Sequence, residues 1–113
     1  MGRRAERATA RFLGRRGLHL VARNYRTRGG EIDLVMMDGA EMVFVEVRFR
    51  SNIAYGDGAA TVDHNKQHRL VRAAESFLLH RDSHNGPCRF DVVSVTRSGY
   101  RLRFEWIRNA FTL

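Results

Sequence analysis

The sequence predicts an α/β domain with a mixed five-stranded sheet flanked by helices. Three observations lead there. Apolar periodicities along the chain run helix, strand, hairpin, helix, hairpin. An Asp38-Gly39 pair with apolar runs on both sides marks a tight turn within Gly29–Arg50. Between the two hairpins lies one strongly periodic helical segment, the natural crossover to a parallel strand. With 113 residues, 43% of them hydrophobic, the chain makes one domain, residues 1–113, around a modest core.

Residues 2–16 read as a helix, with Ala5, Ala8, Phe12 and Leu13 as its apolar stripe and Gly17 as its terminator. Arg3, Arg7, Arg11 and Arg15 recur every fourth residue and form one positive edge, either solvated or held by phosphate. Glu6 is the helix's only acidic residue and borders the apolar stripe. Residues 18–24 read as a strand. Arg26–Gly30 is a basic, glycine-ended loop whose amides and arginines suit a phosphate, or form an ordinary turn. Residues 51–60, with Tyr55-Gly56-Asp57-Gly58, read as a flexible loop.

Residues 64–80 form the clearest helix. Asp63 suits the N-cap, and Leu70, Val71, Ala73, Ala74, Phe77 and Leu78 make the core stripe. His64 and His68 have helical metal-ligand spacing, but Asn65 stands where the HExxH signature has Glu, so a zinc site is not expected. Residues 81–87 make a polar loop holding the only proline. Strands over 89–96 and 100–107 flank a Ser98-Gly99 turn. In the last strand Tyr100, Leu102, Phe104 and Trp106 share a face; such a stripe stacks bases in some proteins and is more often core.

The chemistry concentrates in the first hairpin, GGEIDLVMMDGAEMVFVEVRFR. With Met37 and Ala40 closing the turn, Glu31 faces Glu46, Asp33 faces Phe44 and Glu41 faces Met36. Strand alternation then puts Glu31, Asp33, Phe44, Glu46 and Arg48 on one face and Ile32, Leu34, Val43, Val45 and Val47 on a core face. Asp33 and Glu46 become diagonal neighbours, roughly 7–8 Å apart at the backbone. Crowded carboxylates raise one another's pKa, and a hard divalent cation such as Mg²⁺ or Mn²⁺, held by one or two of them, relieves the repulsion. A solvated acidic face is the simpler alternative.

Composition narrows the partners. A net charge of +8 points to a polyanion, most simply nucleic acid. Nineteen of the twenty basic side chains are arginine and Lys66 is the single lysine, a skew that GC-rich coding produces by itself. The lone Cys88 excludes an internal disulfide. No apolar run reaches the length of a membrane span, and no signal-type hydrophobic region follows the arginine-rich start, so a soluble, cytoplasmic protein is expected.

The glutamate in the first helix, GEID in one strand and FVEVRFR in the next carry a resemblance. From that helix to the closing RNAF, the chain resembles the small bacterial YraN-like proteins of the restriction-endonuclease-like superfamily, which are similar to archaeal Holliday-junction resolvases. The resemblance implies a restriction-endonuclease-like core and Mg²⁺- or Mn²⁺-dependent phosphodiester hydrolysis. The strand acid falls on Asp33, the glutamate of Glu-x-Lys on Glu46 and the helical glutamate on Glu6. Glu31 is a further candidate ligand. The motif's lysine position holds Arg48, which clamps and stabilises charge but stays protonated and cannot serve as a base.

Arg26, Arg28, Arg50, Lys66, Gln67 and Arg69 are the candidate nucleic-acid contacts. The leading expectation is a metal-dependent endonuclease acting on duplex or branched DNA, by analogy a homodimer. The alternatives are a nucleic-acid-binding module without turnover and a regulatory protein whose basic face meets an acidic partner.

Overall fold

A computed structural model describes residues 2–50, 63–81 and 86–111. The proposed loop at 51–60 and most of the polar loop at 81–87 lie outside the described residues. Two helices, α1 (Gly2–Gly14) and α2 (His64–Leu79), cover opposite faces of one sheet. Its strands are β1 (His19–Arg26), β2 (Glu31–Asp38), β3 (Glu41–Arg50), β4 (Cys88–Ser98) and β5 (Arg101–Phe111), in spatial order 1-2-3-4-5. The β3–β4 pair is parallel and the other three pairs are antiparallel, so α2 is the crossover expected between the hairpins. Among the described residues, no helix is long and apolar enough to cross a membrane.

Each helix sits where its sequence pattern puts it. Ala5, Thr9 and Leu13, four residues apart, are the buried side of α1, and Gly17 ends it with φ +98° as the Leu18 amide donates back to the Leu13 carbonyl at 3.1 Å. The Asp63 carboxylate caps α2 by accepting from the Lys66 amide at 2.9 Å. Leu70, Ala73, Ala74 and Phe77 then bury against Ile32, Val35, Phe44, Phe90 and Val92. On the other face, Leu13 and Leu18 pack with Leu34, Met36, Val43, Val45, Val93 and Val95. Leu102, Phe104 and Trp106 join this second cluster, and Phe12 stacks on Phe104 at 4.5 Å, so those three members of the aromatic stripe are core. Tyr100 is not. The turn pairs Ser98 with Arg101, which leaves Tyr100 in the loop and fully exposed.

The first hairpin departs from expectation in two ways. Asp38 pairs with Glu41, so the two-residue loop is Gly39-Ala40, with Gly39 at φ +62° as turns of the II′ type require. Every pair is thereby shifted by two positions from the Met37–Ala40 scheme. Glu41 faces Asp38 rather than Met36, and Val35 rather than Asp33 faces Phe44. A two-residue shift preserves the faces, but Ile32 breaks ranks: it packs under α2 with Val35, while Leu34 packs under α1. The alternation fails at Asp33. On β1 the residue between the partners of Ile32 and Leu34 is Asn24, held at φ +50°, and this kink re-aims the strand end. The face of Phe44 and Glu46 is no solvated surface either. Both residues are buried, and α2 lies over it.

The other end of the sheet is tied by a network that spacing did not announce. Asp91, 1% exposed, accepts from Arg89 Nε at 3.0 Å, from Trp106 Nε1 at 2.9 Å and from the Asn109 amide at 2.9 Å. Arg89 reaches on to Glu41 at 2.7 Å and Asp38 at 3.0 Å, which fastens the β2–β3 turn to β4. Asn109, at φ +52°, lies in the register shift of β5 opposite Asp91. Asp91→Asn turns an amide group toward these donors and takes one of its three carboxylates from Arg89. It should destabilise the fold by about 1.5–3 kcal/mol in a chemical-denaturation titration.

Candidate functional site

The β2–β3 ladder runs from Asp38–Glu41 to Leu34–Val45 and stops there. The next position brings Asp33 level with Glu46, but Asp33 Oδ2 instead accepts the Val47 amide at 2.9 Å. A side chain thus takes the place of a ladder carbonyl where the strands part. At that opening is a cavity of about 170 Å³ lined by Glu6, Glu31, Asp33, Glu46, Lys66 and Arg69, with Val47 and Leu70 completing its wall. Glu6 comes from α1 and Lys66 from α2, so both helices reach the same opening from opposite faces of the sheet.

The loop before β2 fixes the height of the acidic strand over α2. Gly30 is buried against the helix backbone, where a Cβ would overlap the Arg69 carbonyl. The amides of Gly29 and Gly30 both donate to Thr27 Oγ1 at 3.2 Å, so they are not offered to a phosphate, and this segment is a structural turn. Tyr25 adds a second tie to α2, its hydroxyl 3.0 Å from Ser76 Oγ and its ring edge-on to Phe77.

Electrostatically the cavity is short of positive charge. Burial pushes the Glu46 carboxyl up to about 7; the Asp33 charge adds to this, and the Lys66 ammonium at 2.7 Å opposes it. Asp33 is pushed up to about 6, again chiefly by burial and then by the Glu6 charge, against the Val47 hydrogen bond. Glu46 is 5% exposed, and Glu6 Oε1 is buried without a hydrogen-bond partner. Buried carboxylates in this state are costly unless a cation or a proton joins them.

These donors suit a hard cation. Among the described residues, no three His, Cys, Asp or Glu side chains form a ready-made metal cage. Mg²⁺ does not need one, because it binds through one or two carboxylates and completes its shell with water and substrate phosphate. Asp33 and Glu46 would be the ligands, with Glu6 and Glu31 at the margin of the same cavity.

The structure therefore gathers Glu6, Glu31, Asp33, Glu46, Lys66 and Arg69, and leaves the other candidates outside. Arg48 and Arg50 are half-buried on β3 beyond the cavity, Gln67 is half-buried on α2, and Arg26 and Arg28 are exposed on the loop side. The ammonium that touches Glu46 belongs to Lys66. A signal for this was present in the chain. Lys66 is the one lysine among twenty basic residues and stands three residues after a helix cap.

Comparison with known proteins places the chain in a family. The model of the uncharacterised protein family UPF0102 matches residues 5–95. A UPF0102 protein of Methylococcus capsulatus is 50% identical over 110 residues, covering 96% of this chain and 88% of that protein. One from Stutzerimonas stutzeri is 48% identical over 111 residues (97% and 92%), and one from Alcanivorax borkumensis 45% over 112 residues (97% and 90%). A match across most of the domain, with near-complete coverage of these relatives, means that the chain belongs to the UPF0102 family.

Proposed function

We propose that this protein is a divalent-cation-dependent phosphodiesterase of the restriction-endonuclease-like kind, acting on nucleic acid, most simply DNA. The observation that carries the reading is the pair Asp33 and Glu46, buried together with raised pKa values in a cavity that also receives a lysine. Mg²⁺ or Mn²⁺ held there would polarise the phosphoryl oxygen and lower the pKa of an attacking water. The chain's own residues do the rest. Asp33 is oriented by the Val47 amide, and Glu46 by Lys66. The Lys66 side chain is 56% exposed, so it can turn from Glu46 toward a phosphate oxygen, and Arg69 stands beside it with a second positive charge. The net charge of +8 favours a polyanion as the partner. Two such sites in a homodimer would match the two strands of a duplex.

The test is incubation of the purified chain with linear, single-stranded and four-way-junction DNA in Mg²⁺ or Mn²⁺. Cleavage is expected, and Glu46→Gln should reduce it by at least about 10²–10³-fold, the scale on which one preorganised charge counts. Arg48 in the motif's lysine position favours a second reading, a binding module without turnover. Tight binding with no cleavage under either metal, and cleavage regained in Arg48→Lys, would establish it. Lys66→Met separates the roles further. It removes the ammonium that competes with a cation for Glu46, so Mn²⁺ should bind more tightly while cleavage falls.

A further inference from the structure

A second cavity, of about 710 Å³, lies between α1 and the β4–β5 turn. Its size is that of a site for an organic ligand, roughly 300–1,000 Å³. Three arginines, Arg4, Arg11 and Arg97, line it together, and no Asp or Glu does. All three arginines are exposed, and among the described residues none is held in an ion pair. The floor is different in kind. Ala5 and Ala8 keep that side of α1 low, and Phe49 and Leu102 present half-buried apolar surface beside them. At the rim stands Tyr100, fully exposed at the tip of the hairpin, with Arg101 and Arg103 also exposed just beyond.

Like charges crowded around an apolar floor are unfavourable without an anion, and an aromatic ring in open water gains nothing until something lies on it. We infer that this groove binds an unpaired stretch of nucleic acid, its phosphates held by Arg4, Arg11 and Arg97 and a base stacked on Tyr100. A duplex would satisfy the arginines but has no free base face for the ring. The same turn of α1 gives Glu6 to the acidic cavity and Arg4, Ala5 and Ala8 to this groove. In that respect the inference rests on the reading above and adds to it a preference for substrates with a single-stranded branch or tail.

Fluorescence anisotropy of the full chain in a metal-free buffer tests this apart from any cleavage. The probes are a labelled short single strand, the corresponding duplex, and heparin as a competing polyanion without bases. Tyr100→Ala, a change at a fully exposed position, should weaken single-strand binding by roughly 5- to 150-fold, the equivalent of losing one stacked base. It should leave the duplex and heparin within about twofold. Arg11→Gln with Arg97→Gln should lower the slope of log affinity against log salt by about 1.4 for the single strand, two phosphate contacts at ~0.7 each.

Unchanged single-strand affinity in both variants, or equal losses for all three probes in Tyr100→Ala, would overturn the assignment. So would failure of the single strand to bind at all. The assay reads binding alone in a metal-free buffer, so a protein that never cleaves can still pass this test.

Discussion

Raising the pH from about 4 to about 7 should destabilise the metal-free protein, and Mg²⁺ should restore what is lost. The sign follows from the two carboxyls. Asp33 and Glu46 titrate near 6 and 7 in the folded chain, above their ordinary values near 4, so the folded state binds protons more tightly than the unfolded state. Their contribution is fully present below about pH 4 and is lost as the pH climbs through 6 and 7. The pair shares its surroundings, so the combined loss is of order 3 kcal/mol rather than the sum of two independent groups.

Glu46→Gln isolates the effect. At about pH 8 the variant sheds a buried charge and its repulsion with Asp33, and forfeits only a Lys66 pair whose ammonium is half exposed, worth ~1 kcal/mol at most. The metal-free variant should therefore be more stable than the parent at about pH 8 and nearly equal to it at about pH 4.5. Mg²⁺ should raise the melting temperature of the parent at the higher pH and leave the variant unmoved. A parent whose stability rises over this range would show that the carboxyls are not held as described.

Among the glycines whose surroundings are described, Gly30→Ala should cost the most, about 3 kcal/mol or beyond. The new Cβ would overlap the carbonyl of Arg69 in α2, and backbone on both sides leaves no side chain to swing away. The loop must lift from the helix, taking Asp33 away from Lys66 and Arg69. Gly29→Ala is the matched control: its Cβ meets only the Arg72 side chain, with Cδ at 3.0 Å, and a flexible arginine can yield. Denaturant midpoints should fall sharply for the first variant and little for the second. Surviving Gly30→Ala protein should also bind Mn²⁺ poorly, because strand and helix no longer close on one cavity.

These two predictions draw on parts of the chain that were unequally legible in its sequence. Helix α2, its Asp63 cap and its apolar stripe could be read directly, because capping and 3.6-residue periodicity are local. The crossover joining two hairpins, and with it the mixed sheet, followed from element order. Register did not follow, since Asp38-Gly39 sits equally well in either of two loop positions, and only packing chose Gly39-Ala40. The break at Asp33 was hidden because it depends on Asn24 adopting a positive φ on the neighbouring strand. Tyr100 looked like the first member of a core stripe, and a one-residue difference in where the turn closes put it in solvent instead.

For the site, the acids were legible and the Lys66–Glu46 ion pair was not. Asp33, Glu46, Glu31 and Glu6 stand out as carboxylates near apolar runs. Lys66 lies twenty residues from Glu46 and reaches it only because the crossover lays the first turn of α2 over the end of β3. Arg89 and Asp91 show the same limit: their network joins β4, β5 and the β2–β3 turn, and no spacing within one strand reveals it.

The most direct test of a cation site between Asp33 and Glu46 is Mn²⁺ binding to the DNA-free protein, followed by electron paramagnetic resonance at about pH 8, above both raised pKa values. One Mn²⁺ should bind the parent, release protons as it does so, and be lost in both Asp33→Asn and Glu46→Gln. A parent that leaves Mn²⁺ free in solution, or variants that bind it as the parent does, would contradict the account.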